Sequence, residues 1–233
     1  MSGFLVPVLP ERGLVELPVE EARHAIRTLR SRPGEEAYLT DGQGLLARAR
    51  FVEVKGEKAL LEVLEIWHRP GEPPASVGLV VATLKAPDRT AWLVEKAVEL
   101  GVTHLYLVPF SRSFPRKPSE SRLRKVAIAA LKQNLRSVLP QIRVCQRLNE
   151  VPWALFEHRL FGEIGATVPL RDAIPHAPQS TVWVVGPEGD FTPEEMSALR
   201  SLGLKGVSLG TLRLRAETAA ILYLSTLKTL WAY

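Results

Sequence analysis

Two segments near the C-terminal end of this 233-residue chain carry residue types that can do chemistry. The first, Gly186-Pro187-Glu188-Gly189-Asp190-Phe191, follows directly on the apolar run Thr181 to Val185. It leads into Thr192-Pro193-Glu194-Glu195, which reads as a helix N-cap, an N1 proline and a capping-box glutamate. Its glycines permit dihedrals and a close ligand approach that a side chain would block, and Pro187 lowers the cost of ordering the bend. A purely structural turn would have the same composition. The second segment, Leu209 to Ala219, alternates Leu212 and Leu214 with Arg213 and Arg215. That pattern suits a pocket lined by main chain and aliphatic groups, with guanidiniums facing an anion. Glu217 stands at the start of the following helix, where plain helix N-terminal electrostatics would place a carboxylate.

Other chemistries lose their footing. The loop Ala82 to Ala86 has no glycine, so no dinucleotide fingerprint forms there, and neither a phosphate-binding Gly-Lys-Ser/Thr loop nor a Gly-x-Ser-x-Gly elbow occurs. Cys145 is the sole cysteine and the five histidines are scattered, so no disulfide scaffold and no metal site is expected. No apolar run approaches the roughly 18 residues of a membrane span and the start lacks signal-peptide character, so a soluble, cytoplasmic protein is expected.

The elements that must position these segments fall into two groups. Pro18 to Arg30 has helical periodicity, with Arg23, Arg27 and Arg30 in one stripe and His24 beside it. Ala37 to Leu39, Leu45 to Val54 and Ala59 to Ile66 read as strands. The proline-rich stretch His68 to Pro74 then breaks every pattern, which places a domain boundary there and gives domains of 1–69 and 75–233. Beyond it, strands expected at 77–82, 104–108, 142–145, 159–162, 181–185 and 206–209 alternate with helices at 89–100, 119–138, 151–158, 193–202 and 217–230. Apolar strands separated by helices imply a mostly parallel α/β sheet covered on both faces.

The formal charge of +5 is unevenly spread: −2 over residues 1–74, +7 over 75–180 and zero over 181–233. Between Arg112 and Arg147, ten basic residues, among them Arg112, Arg116, Lys117 and Arg136, meet only Glu120 along the chain. Such a stretch attracts a polyanion, and a phosphate backbone is the natural one. The plain alternative is a solvated, arginine-rich helix face.

Taken together, Val185 to Phe191 and Leu209 to Ala219 resemble the signature loops of the SPOUT methyltransferases that form N3-methyluridine in small-subunit ribosomal RNA. Glu95 to Val102, Ser111-Arg112-Ser113, Gln133 to Arg136 and His24 to Arg30 support the match. The resemblance spans essentially the whole chain. It implies a small N-terminal PUA-like β barrel that binds RNA, joined to a SPOUT α/β domain with a C-terminal trefoil knot. It also implies a homodimer, ribosomal RNA as substrate, no metal, and S-adenosylmethionine as cofactor. The cofactor would be held by Gly162, Glu163, Gly186, Pro187, Glu188, Gly189, Leu209, Gly210, Leu212, Leu214 and Ala219. RNA would meet Arg23, His24, Arg27 and Arg30 from the first domain, and Arg112, Arg116, Lys117 and Arg136 from the second. Arg215 would stabilise charge on the uracil, with Glu217 as base or as the group orienting Arg215. Asp190 stands where the family usually has a second glycine. Two rivals are a ribose 2′-O-methyltransferase on the same scaffold and a non-enzymatic RNA-binding or ribosome-assembly module.

Overall fold

The computed structural model describes residues 3–114 and 118–233, and the chain divides into two compact units. One holds the residues up to Glu72 together with Ile128–Leu139; the other holds Pro73–Ala127 and Pro140–Tyr233.

The first unit is built on five strands, β1 (Gly3–Leu5), β2 (Gly13–Glu16), β3 (Glu36–Thr40), β4 (Leu45–Lys55) and β5 (Lys58–His68), in the order β1-β3-β4-β5-β2. Only β1 and β3 run parallel. Alternation decides the faces: Ala47, Ala49 and Phe51 of β4 enter the core beside Phe4, Leu39 and Leu61, while Arg48 and Arg50 turn outward to Glu36 at 3.1 Å. Between Pro18 and Arg30 the expected helix is present in two pieces, α1 (Val19–Arg23) and a wider π turn over His24–Leu29, ended by Arg30 in the left-handed region.

The second unit contains, in chain order, β6 (Val77–Ala82), α2 (Pro87–Glu99), β7 (His104–Val108), α3 (Glu120–Asn134), β8 (Gln141–Val144), β9 (His158–Gly162), α4 (Leu170–Ala173), β10 (Thr181–Val185), α5 (Pro193–Ser201), β11 (Lys205–Val207) and α6 (Ala216–Trp231). Its six strands are all parallel, in the order β11-β9-β10-β6-β7-β8. Every residue of β6 and β10 is buried, as central strands of a parallel sheet covered on both faces require. On one face Phe161, Phe191 and Leu199 share a cluster; elsewhere Trp183 stacks on Tyr223 of α6 at 5.3 Å. The short helix expected at 151–158 is instead two single 3₁₀ turns, Leu148–Glu150 and Trp153–Leu155, because Pro152 interrupts the helical hydrogen bonding.

The second half of α3 is counted with the first unit. Strand β1 runs so close that a Cβ on Gly3 would lie 2.3 Å from the Lys132 carbonyl oxygen. Lys132 Nζ reaches Glu21 at 2.9 Å, and past the helix end Gly44 N donates to Ser137 O. Helix α3 ends at Asn134, four residues earlier than expected. Leu135 takes φ 59°, and the next amides donate to side chains: Arg136 N to Asn134 Oδ1, and Ser137 N and Val138 N to Glu72.

Candidate functional site

Parallel pairing fixes which loops can meet. Strand β9 lies between β11 and β10, with Gly162 opposite Val207 and Phe161 opposite Val184. The chain therefore leaves all three strands at one edge of the sheet, and Gly162-Glu163, the Gly186–Phe191 bend and the Ser208–Arg215 segment emerge side by side. This is the edge at which ligands bind in α/β sheets.

The first bend is held by its own neighbours. Thr192 and Glu195 form the expected capping box, and Glu195 Oε1 also accepts from Ser111 N at 2.6 Å. Arg112 Nη1 donates to Gly189 O at 2.7 Å. A Cβ at Gly186 would lie 3.0 Å from the Phe191 ring, and one at Gly189 would lie 3.2 Å from Arg112. Packing against the buried Phe191 ring accounts for Gly186, whereas at Gly189 the neighbour is the exposed Arg112 side chain, which can shift. Asp190 takes φ 64°, and its carboxylate accepts from Phe191 N at 2.8 Å. That left-handed position explains why glycine suits the site and how aspartate, with a short local acceptor, can replace it.

The second segment is open. Gly210 has φ +109° with nothing within 4 Å of where a Cβ would be, Leu212 is 81% exposed and Leu214 is 39% exposed. Among the described residues the main-chain amides of Thr211 to Leu214 donate to no protein group. Unused backbone donors flanked by exposed leucines suit a flat heterocycle, its edge on the main chain and its faces on aliphatic carbon. On that observation the donor set fits an adenosyl group.

Arg89, in the first turn of α2, links the two loops. Its Nε and Nη2 donate to Glu217 Oε1 and Oε2 at 2.8 and 2.5 Å, and its Nη1 pairs with Glu188. Burial pushes the Glu217 carboxyl up, but the Arg89 hydrogen bonds, the backbone of α6 and the charges of Arg89 and Arg215 outweigh it and hold the group below the usual range. Glu217 is thus an ion-paired carboxylate gripping Arg89, and no hydrogen bond joins it to Arg215. Arg215 itself, the N-cap of α6, is exposed; its carbonyl oxygen accepts from Ala219 N at 2.9 Å, while its guanidinium makes no hydrogen bond or ion pair among the described residues. Composition did not reveal Arg89. A cation at the positive end of a helix is disfavoured unless carboxylates meet it, and that was the available signal.

An RNA methyltransferase domain model matches residues 71–228. The ribosomal RNA small subunit methyltransferase E of Mycobacterium bovis is 32% identical over 97% of this chain and 91% of its own length. The chain belongs to the ribosomal RNA small subunit methyltransferase E family. A crystal structure of that enzyme from Neisseria gonorrhoeae bound to S-adenosyl methionine superposes with a TM-score of 0.85 at 29% identity, covering 99% of this chain and 98% of the other. A probable rRNA-methyltransferase from Porphyromonas gingivalis gives 0.83 at 30% identity, covering 100% and 99%.

Within this family member the remaining expected residues are differently placed. Glu163 pairs with Arg200 and lies over Gly206, where a Cβ would lie 1.8 Å from its carboxylate oxygen. Ala219 is buried in the first turns of α6 and Pro187 is buried in its bend, whereas Leu209 is half-buried. Arg23 and Arg27 face a common partner, Glu57, at 3.0 and 3.7 Å, and His24 lies edge-on to Phe4. Arg116 and Lys117 lie outside the described residues. Arg136 corrects an expectation: it is 6% exposed and bound to Glu72, so it is a structural cation of the first unit and does not present itself to RNA. Arg112, expected to face RNA, spends one guanidinium nitrogen on the Gly189 carbonyl.

Proposed function

We propose that this chain methylates N3 of a uridine in small-subunit ribosomal RNA, working as a cytoplasmic homodimer. The convergence of three loops at one sheet edge, with Gly210, Leu212 and Leu214 open beside unused main-chain amides, carries this reading. The Neisseria relative solved with S-adenosyl methionine, alike over nearly the whole chain, supports it. The PUA-like character of the first unit and the knot of the second belong to the same reading. No helix among the described residues is long and apolar enough to cross a membrane.

S-adenosylmethionine, when bound, supplies a methyl group on a sulfonium. In the transfer the uracil N3–H bond breaks, a nitrogen–carbon bond forms and the sulfur–carbon bond breaks, leaving S-adenosylhomocysteine and a proton. The protein's share is to orient and to exclude water. The Leu209–Leu214 main chain holds the adenosyl group. Arg215, an exposed guanidinium next to that segment, stabilises negative charge on the uracil as N3 loses its proton. Glu217, already committed to Arg89, acts by holding that arginine. Exposed Arg30 of the first unit and exposed Arg124, Lys125, Arg143 and Arg147 of the second track phosphates.

Small subunits lacking the modification, incubated with protein and methyl-labelled S-adenosylmethionine, test this directly. Digestion to nucleosides should yield labelled N3-methyluridine. Label on ribose oxygen would replace the reading with 2′-O-methylation, and absence of S-adenosylmethionine binding by calorimetry would leave an RNA-binding module.

A further inference from the structure

We propose that Arg89 is a positioning residue that sets the spacing of the two cofactor loops, a role that rests on the methyl-donor reading above. It sits in the first turn of α2, directly after β6, whereas its partners belong to two other crossovers. Glu188 lies in the bend after β10, the strand next to β6; Glu217 opens α6, after the loop from β11 at the edge of the sheet. Strand β9 separates β10 from β11, so sheet pairing does not join the two loops directly. Among the described residues no other hydrogen bond or ion pair joins the 186–191 bend to the 208–217 segment, even through a shared partner.

One guanidinium performs the junction with three nitrogens. Nε and Nη2 form a two-pronged grip on Glu217, whose side chain is 12% exposed, and Nη1 takes Glu188, which is 47% exposed. The grip on Glu217 is the firm one and the Glu188 arm the weaker, because a half-exposed pair is screened by water. Lysine, a point charge without the planar fork, cannot reproduce both contacts at once. An arginine placed against the positive end of its own helix has no benefit to α2. Its benefit falls on the loops, which it holds at one separation before a ligand arrives, so that less ordering is left to be done on binding.

The test measures S-adenosylhomocysteine binding by calorimetry, methyl transfer kinetics and thermal unfolding for Arg89→Ala, Arg89→Lys and Glu188→Gln. The expected result is a tenfold or greater rise in the S-adenosylhomocysteine Kd for Arg89→Ala, partial rescue by Arg89→Lys, and a smaller rise for Glu188→Gln. The KM for RNA should stay within twofold and the melting temperature within a few degrees. Arg89→Ala binding as tightly as wild type would overturn the clamp while leaving the methyltransferase reading intact. A rise in the RNA KM with unchanged cofactor affinity would also overturn it, by making Arg89 an RNA contact. Wild-type protein that fails to bind S-adenosylhomocysteine would instead strike the functional reading itself, and the clamp with it. Should Arg89→Ala not fold, Arg89→Lys, which keeps the charge but loses the planar fork, gives the deciding measurement: an S-adenosylhomocysteine Kd equal to wild type would overturn the clamp.

Discussion

Replacing Arg136 with alanine should destabilise the protein and leave RNA affinity nearly untouched. The Glu72 side chain is 1% exposed and that of Arg136 is 7% exposed. The carboxylate accepts from Arg136 Nη2 at 2.5 Å and Nε at 3.2 Å, Ser137 N at 2.9 Å, Ser137 Oγ at 3.2 Å and Val138 N at 2.9 Å. Alanine at 136 removes the counter-charge and leaves the carboxylate buried among neutral donors, a loss of about 3–5 kcal/mol for a broken buried pair. For a chain of this length each kcal/mol moves the melting temperature by roughly 2–4 °C, so a shift of about 10 °C is expected if unfolding is cooperative. Glu72→Gln keeps the shape but replaces one acceptor oxygen by a donor and leaves the Arg136 guanidinium buried without its counter-charge, so it should be destabilising by a similar amount. Circular dichroism during thermal and urea unfolding measures the loss. RNA binding across a salt series measures the other half, because an arginine on a phosphate contributes about 0.7–0.9 to the logarithmic salt slope. An unshifted melting curve with a slope flattened by nearly one would refute the argument and return Arg136 to the RNA surface.

Arg215→Ala should reduce turnover far more than S-adenosylhomocysteine affinity, measured by single-turnover kinetics beside calorimetry; equal losses would mean that Arg215 only shapes the pocket. Asp190→Gly should be neutral or slightly stabilising, whereas Asp190→Val, forced into the left-handed region at φ 64°, should cost about 1–2 kcal/mol in urea unfolding. Glu217 titrates below its ordinary value in the folded protein, so its contribution is fully present above the ordinary carboxylate range and is lost as pH falls through the depressed value. Wild type should therefore lose more stability on acidification than Glu217→Gln, read as the urea midpoint from neutral pH downward.

The parts of the site that the sequence made legible are those settled within a few residues. A strand followed by Gly-Pro-Glu-Gly, a capping threonine and Pro193 specify a bend locally, and the bend is there with its capping box. Strands β1 and β2 were not anticipated: at three and four residues they are too short for an alternating pattern to register, and their existence depends on partners β3 and β5. The end of α3 was missed for a similar reason. Leu135, Arg136 and Ser137 read as helix continuing, yet Glu72, more than sixty residues away, takes the amides of Ser137 and Val138.

Charge was the most misleading signal, because it was counted along the chain and acts through space. The basic run from Arg112 to Arg147 meets only Glu120 in sequence, but in the fold Arg122 pairs with Asp88, Lys132 with Glu21 and Arg136 with Glu72. What survives is narrower. Arg124, Lys125, Arg143 and Arg147 are exposed, and none makes an ion pair among the described residues. These four belong to the same compact unit as the converging loops, whereas the buried Arg136 belongs to the other. Arg136 and Lys132, held by the buried or nearly buried carboxylates of Glu72 and Glu21, have few counterions to release, whereas the Arg122 pair with the exposed Asp88 is screened by water and gives way readily; the exposed cations therefore set the salt dependence of RNA binding.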